Sequence, residues 1–556
     1  MRRTLLTFCL TALPLAAQAP FINGHGIRNA ASSYPPGLPD GAIAQGSLFT
    51  IYGANLGPST GVQVSAFPLQ TTFAGVSVTA TQGNTTVNII PVFVLSSQIN
   101  AIMPSNTPLG RVSLQVTYNG KTSNYSPATV VAANFGSFAV NGAGFGPGVV
   151  TNYVSASSQP VNAPGTTAAP GQLAILWGTG LGPVPDDTVA PNAGNLASTV
   201  EVFVGGVSAS VSYHGRSPCC SGLDEIFFTV PANAPQGCYV PVIVRINSAI
   251  VNNPVTMAIA PNGAACSDSN NAIEQSFISG KSAGMVDLLR VNGTVTFAGA
   301  TTVTTGDYVQ GLLFASAAGP FFFEPLVSLP PQGSCTVYSA DGQLQVTASL
   351  PGLTSLGTLL DAGPQLNLAT GSSTATAPTP ASGTLPIYRA TLGGNTSVFA
   401  AGLFFNPPAA VTVSAPGEAS GVGAFQTSVP TAAAIQWTNQ SSLSAATLDP
   451  TQPLTATWTA TGAAGGTVVI AGGNFDALND ASTMFLCAAS AAAGTFTVPA
   501  LMQTNIPATR ITDSTPNGSL FLGLLPLNSP TTFSASGLSA GYAAYTPWVV
   551  QNVTWK

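Results

Sequence analysis

The chain has 556 residues and a net charge of −6, and only 5% of its residues are Asp, Glu, Lys or Arg. It is long enough for several cores, and its twelve basic residues are scattered, so no basic groove neutralises a run of phosphates and nucleic acid is excluded as an expected partner. Gly (59) and Pro (45) are abundant, yet 45% of the residues are apolar, which excludes a disordered chain and points to many short strands joined by turns.

The first 19 residues, MRRTLLTFCLTALPLAAQA, have a positive start at Arg2 and Arg3, an apolar middle and a small-x-small end at Ala17-Gln18-Ala19. This is the pattern of a signal peptide at 1–19. Its removal would take the net charge from −6 to −8 by losing two arginines. The apolar run is short for a bilayer, and no later window of about 20 residues is continuously apolar, so no transmembrane segment is expected in the mature chain. The expected location is secreted or at the cell surface. No lipobox cysteine stands at the cleavage point and no C-terminal sorting signal is evident. Six cysteines then remain: Cys219, Cys220, Cys238, Cys266, Cys335 and Cys487. An even number in an exported chain predicts disulfides. Neighbouring side chains on a strand point apart, so Cys219 and Cys220 are expected to pair with different partners, Cys238 and Cys266 being nearest. Cys335 and Cys487 would close a later domain.

The stretch GSLFTIYGANLGP at 46–58 matches GQLAILWGTGLGP at 171–183, 125 residues on. FAGVSVTA at 73–80 answers VGGVSASV at 204–211, and INAIMPSNTPLGRVSLQV at 99–116 answers IFFTVPANAPQGCYVPVIV at 226–244. Three blocks in the same order predict one small domain used twice. Each copy has about seven short strands with turn residues between them, as an immunoglobulin-like sandwich requires. The glycines Gly178, Gly180 and Gly182 lack the Gly-x-Gly-x-x-Gly spacing of a dinucleotide loop, and Pro183, Pro185 and Asp186 follow in place of a helix. Asn55 stands where the second copy has Gly180, which suits a turn of positive φ better than a phosphate cradle.

These blocks resemble the IPT/TIG type of immunoglobulin-like domain over about residues 38–262, most closely the variant abundant in secreted, largely uncharacterised proteins of soil Acidobacteria. The resemblance implies a sandwich fold and an extracellular compartment. IPT/TIG domains occur in bacterial surface adhesins, as accessory modules of extracellular polysaccharide-processing proteins, and in transcription factors and receptors. The family has no shared catalytic residues to transfer. Cys219, Cys220 and Cys238 depart from the first copy and would brace the second.

The organisation expected is a signal peptide (1–19), a first sandwich (38–133), a packed linker (134–167), a second sandwich (168–262), a β-rich domain (267–430) and a C-terminal sandwich-like domain (431–556). Residues 369–384, ATGSSTATAPTPASGT, are expected to be a long solvent loop. FLCAASAAAGTFTVPA at 485–500 resembles recurring C-terminal segments of Acidobacterial secreted proteins. The fold class is all-β, with tandem IPT/TIG-type sandwiches followed by a C-terminal β-rich region.

Ionisable groups limit the chemistry. The two histidines are His25 and His214, and a Ser-His-acid grouping of His214 with Ser217 or Ser221 and Asp224 or Glu225 lacks a Gly-x-Ser-x-Gly elbow. Asp476 and Asp480, with Asn474 and Asn479, offer oxygen ligands without an EF-hand pattern, and solvated turn roles are the stronger reading. Trp177, Trp437, Trp458 and Trp548 suit either sugar stacking or, better, burial in strands. No catalytic residue, cofactor or metal site is expected. The preferred function is a non-catalytic exported protein that binds a glycan or a surface protein, by a neutral hydroxyl- and amide-rich surface or by strand addition at an exposed edge. The alternative is an enzyme acting on extracellular polysaccharide, with the sandwiches as accessory modules and two carboxylates from Glu274, Asp287, Asp307, Glu324, Asp341 or Asp361 facing across a cleft.

Overall fold

The computed structural model describes residues 18–297, 300–315, 321–342, 358–379, 386–395, 402–407, 409–444, 447–510 and 518–556. Residues 1–17, most of the expected signal peptide, lie outside the described residues. Among the described residues regular structure is almost entirely strand, with two five-residue helices, Glu274–Ile278 and Gln440–Ser444. No described helix is long and apolar enough to cross a membrane.

The first sandwich starts earlier than its sequence blocks, with strand Phe21–Asn29 paired to Leu48–Ala54. Strand Leu48–Ala54 then pairs with Gln98–Ile102, and Val76–Gln82 with Gly110–Tyr118. Strand Thr85–Val94 joins the two layers. Its first half bonds to Val76–Gln82 and its second half, with an irregularity between Pro91 and Phe93, to Gln98–Ile102. Alternation does the rest: Val76, Val78 and Ala80 point inward against Phe49, Ile51, Ile99 and Leu114.

The second sandwich repeats this plan. Strand Leu173–Thr179 pairs with Asp224–Thr229, and Val207–Arg216 is again the crossing strand, bonded to Asp224–Thr229 by one half and to Val200–Val204 by the other. Segment 134–167 adds strands Gly136–Ser137 and Val150–Asn152 to this sheet, through Leu173–Thr179. Tandem immunoglobulin-like sandwiches therefore occupy the first half of the chain.

A large sheet dominates the remainder. Its order runs Cys335–Asp341, Ala481–Ser490, Thr467–Asp476, Gly518–Leu525, Ala540–Trp555, Ala283–Phe297, Ala300–Ala315. Strands from both sides of residue 430, the expected division, share this sheet; Ala283–Phe297 lies parallel against Ala540–Trp555 over 12 residue pairs. Two smaller sheets cover it, and one core joins Leu366, Val413, Trp458, Ile470 and Trp555. A second core joins Tyr239 of the second sandwich to Phe277, Phe322, Leu486 and Trp548.

Two expectations are corrected. Residues 369–384 are not a loop throughout: Ser373–Pro378 is a strand paired with Gln365–Thr370, because its Ser/Thr/Ala alternation has the period of a strand. Cys219 is bonded to Cys220, Cys238 to Cys266, and Cys335 to Cys487. The first pair sits in the turn between Val207–Arg216 and Asp224–Thr229, where the alternating directions of a strand do not apply.

Candidate binding site at the sandwich joint

The glycine bend of each copy is built as the Asn/Gly exchange predicts. Asn55 has φ 55° and Gly180 φ 111°, both in the region glycine and asparagine tolerate. A side chain at Gly180 would also meet Asn134 O at 2.1 Å. In the first copy the bend's N–H groups are satisfied by backbone: Gly53 donates to Ser97 O at 3.1 Å and Leu56 to Ser96 O at 2.8 Å. In the second copy the N–H groups of Gly180 and Leu181 both donate to Asp224 Oδ2, at 2.7 and 2.8 Å. The bend thus cradles an anion, and the anion is the chain's own carboxylate.

Asp224 is 0% exposed and paired with Arg216, itself 3% exposed. The guanidinium then donates through Nη2 to Gly182 O of the bend at 2.8 Å and to Gly46 O of the first sandwich at 2.7 Å. One buried arginine therefore ties both copies together. Burial pushes the Asp224 carboxyl up, while Arg216 and the two N–H groups pull it down. Around this latch, Thr179 Oγ1 accepts the Leu48 N–H at 2.8 Å, and Asp187 accepts the Ser105 N–H and hydroxyl at 2.6 and 2.9 Å.

Residues 184–188 run out of the bend as a ridge with a groove on either side. The larger, about 490 Å³, is lined from the first sandwich by Thr71, Thr86, Asn88, Ser105 and Asn106 and from the second by Asp186, Asp187 and Thr188. The smaller, about 240 Å³, is closed by Pro191, Asn192, Arg216 and Ser221. Asp186 is fully exposed, and its hydrogen bonds with the Thr188 hydroxyl and N–H lower its pKa, so it stays anionic. Asp187 is raised, chiefly by burial. The larger groove offers hydroxyls, amides and one free carboxylate, a set that accepts hydrogen bonds from a polyhydroxylated chain and repels an anionic one.

The other residues singled out by sequence are dispersed. His214 is half-buried, which lowers its pKa, and its Nδ1 has no hydrogen-bond partner; Ser221 Oγ donates to Val189 O, Ser217 lies against Cys219 and Glu225, and Asp224 is taken by Arg216, so these residues assemble no Ser-His-acid group. His25 Nδ1 lies 3.8 Å from Asp341, which also binds Arg28. Asp307 is locked to Arg290 at 2.8 Å, Asp361 accepts from Tyr388 at 3.0 Å, and Asp287 accepts from Thr546 at 2.8 Å. Glu274 and Glu324 are held within the protein, and burial raises the pKa of both. A third groove, of about 550 Å³ across Leu289, Tyr308, Gln310, Arg389 and Thr391, has none of these six carboxylates in its lining. Asp476 is buried against Asn479 and Arg510, unlike a solvated turn residue. Trp437, Trp458 and Trp548 are buried, and Trp177 is partly exposed, with Nε1 donating to Thr151 at 3.2 Å. Among the described residues no group of three or more His, Cys, Asp or Glu is placed to hold a metal ion.

Sequence reasoning missed the latch. Its one signal was that Arg216 and Asp224 flank a hairpin turn symmetrically, which makes them direct cross-strand partners.

No curated protein matches the chain. Among solved structures, the I9–I11 tandem from titin is similar at 7% identity, covering 70% of this chain and 93% of its own, with a TM-score of 0.12. SGBP-B from a complex xyloglucan utilization locus in Bacteroides uniformis is similar at 11% identity, covering 67% and 87%, with a TM-score of 0.15. A γ-CGTase from alkalophilic Bacillus clarkii is similar at 8% identity over 49% and 34%, with a TM-score of 0.16. Likenesses this weak carry no argument about function. The IPT/TIG family model matches residues 32–132, so the first sandwich is an IPT/TIG domain.

Proposed function

We propose that this chain is an exported, non-catalytic protein of the cell surface or matrix that binds a neutral glycan in the groove at the sandwich joint. The observation that carries the reading is the lining of that groove: hydroxyls from both sandwiches and the amides of Asn88 and Asn106 from the first, with Asp186 as its free charge. The low charge of the chain agrees with a neutral ligand, since many of its arginines are spent on internal pairs, Arg28–Asp341, Arg216–Asp224, Arg245–Glu201 and Arg290–Asp307. The signal-peptide pattern at 1–19 and the resemblance to secreted Acidobacterial proteins support export. The test is binding of the full mature chain to immobilised neutral polysaccharides and to a glycan array, alongside an assay for released reducing ends. Binding that falls at least about tenfold in Asn106→Ala and Asp186→Ala, with unchanged thermal midpoint, is the expected result. Binding unaffected by both substitutions would move the site elsewhere, and released reducing ends would favour the polysaccharide-acting enzyme.

A further inference from the structure

Strand Tyr388–Asn395 pairs with Ala300–Ala315 at one side of the large sheet, and the groove of about 550 Å³ lies across the two strands and their neighbour Ala283–Phe297. The register places its residues. Tyr308 stands opposite Leu289 on one side and Thr391 on the other, and Gln310 stands opposite Arg389. Opposed residues, and residues two apart on one strand, share a face of a sheet. Leu289, Val291, Tyr308, Gln310, Arg389 and Thr391 therefore converge from one face, while Val309 turns to the core on the other.

The polar side chains of this groove are unclaimed. Among the described residues no hydrogen bond or ion pair engages the side chain of Tyr308, Gln310, Arg389 or Thr391. Arg389 is exposed and is the single charged residue among those lining the groove, whereas Arg28, Arg216, Arg245 and Arg290 are each spent on an acid. Asp287, opposite Gln310, already accepts from the Thr546 hydroxyl at 2.8 Å. Tyr308 is half-buried and leans over Gly306, where an added side chain would meet its ring at 2.7 Å. The groove thus combines an aromatic ring and two aliphatic side chains with a free guanidinium, an amide and two hydroxyls. A planar guanidinium matches a carboxylate, an aromatic ring receives the apolar face of a sugar, and one cation balances a monoanion.

We propose that this groove binds an acidic glycan, with a uronate carboxylate on Arg389, the apolar face of a sugar ring on Tyr308, and sugar hydroxyls on Gln310 and Thr391. The site is separate from the joint and does not rest on glycan binding there.

The test is isothermal titration of the full mature chain with trimers of galacturonate, glucuronate and mannuronate, and with their methyl esters, which keep the ring and remove the charge. At least one acid trimer should bind, more weakly as salt rises, and its ester should bind at least about tenfold more weakly. Arg389→Gln should bring the acid down to the ester, and Tyr308→Ala should weaken both. Asn106→Ala and Asp186→Ala, at the joint, should leave this binding unchanged. Should Tyr308→Ala unfold, Arg389→Gln at its exposed position decides alone. Absence of binding by every acid trimer at millimolar concentration, or acid binding retained in Arg389→Gln, would overturn the proposal. Binding of an N-acetyl tripeptide through its terminal carboxylate, with no uronate bound, would likewise replace the glycan by a protein C-terminus.

Discussion

Two arginine–aspartate pairs show how a chain with few charges places them. Arg216 lies opposite Asp224 in one antiparallel pair of strands, and Arg290 opposite Asp307 in another. Each aspartate also accepts two consecutive backbone N–H groups, from Gly180 and Leu181 in one case and from Phe404 and Phe405 in the other. Each arginine donates to a carbonyl of the segment so held, Gly182 O or Phe405 O. The pair therefore fixes a loop onto a strand. Removing one partner strands a buried charge, so Arg216→Ala is expected to cost about 3–5 kcal/mol in chemical denaturation. The double variant Arg216→Ala/Asp224→Asn should cost less than the sum of its single variants, and small-angle scattering should show a looser arrangement of the two sandwiches. In sequence, Asp224 reads as one of two candidate acids beside His214 and nothing marks Arg216 as its partner, because partners across a hairpin become visible only once the register is known.

The elements were legible to the degree that they follow a local rule. Alternation at 76–82 and the Asn55/Gly180 exchange have one physical reading, and the strands and bends follow it. Local rules misled where the wrong element was assumed: strand geometry was applied to Cys219 and Cys220, which lie in a turn, and loop composition to 373–378, which forms a strand. The two bends predict different tolerance. Gly180→Ala places a side chain at positive φ against Asn134 O and should cost about 1–3 kcal/mol. Asn55→Gly should stay within about 0.5 kcal/mol, and urea midpoints of the two variants compare them directly. The joint groove was hidden from sequence because its lining comes from segments as far apart as Thr71 and Thr188.

At the scale of the whole molecule, burial makes the fold hold the protons of acids in both halves more tightly, Asp40 and Asp224 among the sandwiches and Asp287 and Glu324 in the C-terminal half. Burial lifts Asp287 from 3.8 to about 7 and Glu324 from 4.5 to about 7. Their folded pKa values exceed the unfolded ones, so the favourable contribution is complete below about pH 4 and disappears as pH rises to about 7. Relative to the native chain, Asp287→Asn should therefore gain stability between pH 4 and pH 8, by at least ~1 kcal/mol, read from denaturation curves at both pH values. The joint and this half also share contacts: Asn505 donates to Asp40 at 2.9 Å and to Val251 O at 3.1 Å, bringing all three regions to one buried point. No stretch of sequence announces such a meeting, since Asp40 and Asn505 are single polar residues in their own segments and Val251 contributes only its backbone carbonyl.

The strand Ala540–Trp555 lies in the middle of the large sheet, between Gly518–Leu525 and Ala283–Phe297. During synthesis, residues 283–297 emerge well before the neighbour that must lie parallel to them. Their apolar faces and unpaired edge stay uncovered in the meantime, while both sandwiches already have every strand they need. Biogenesis would then proceed in two stages, with the later half depending on a holding factor or on delayed collapse until its keystone arrives.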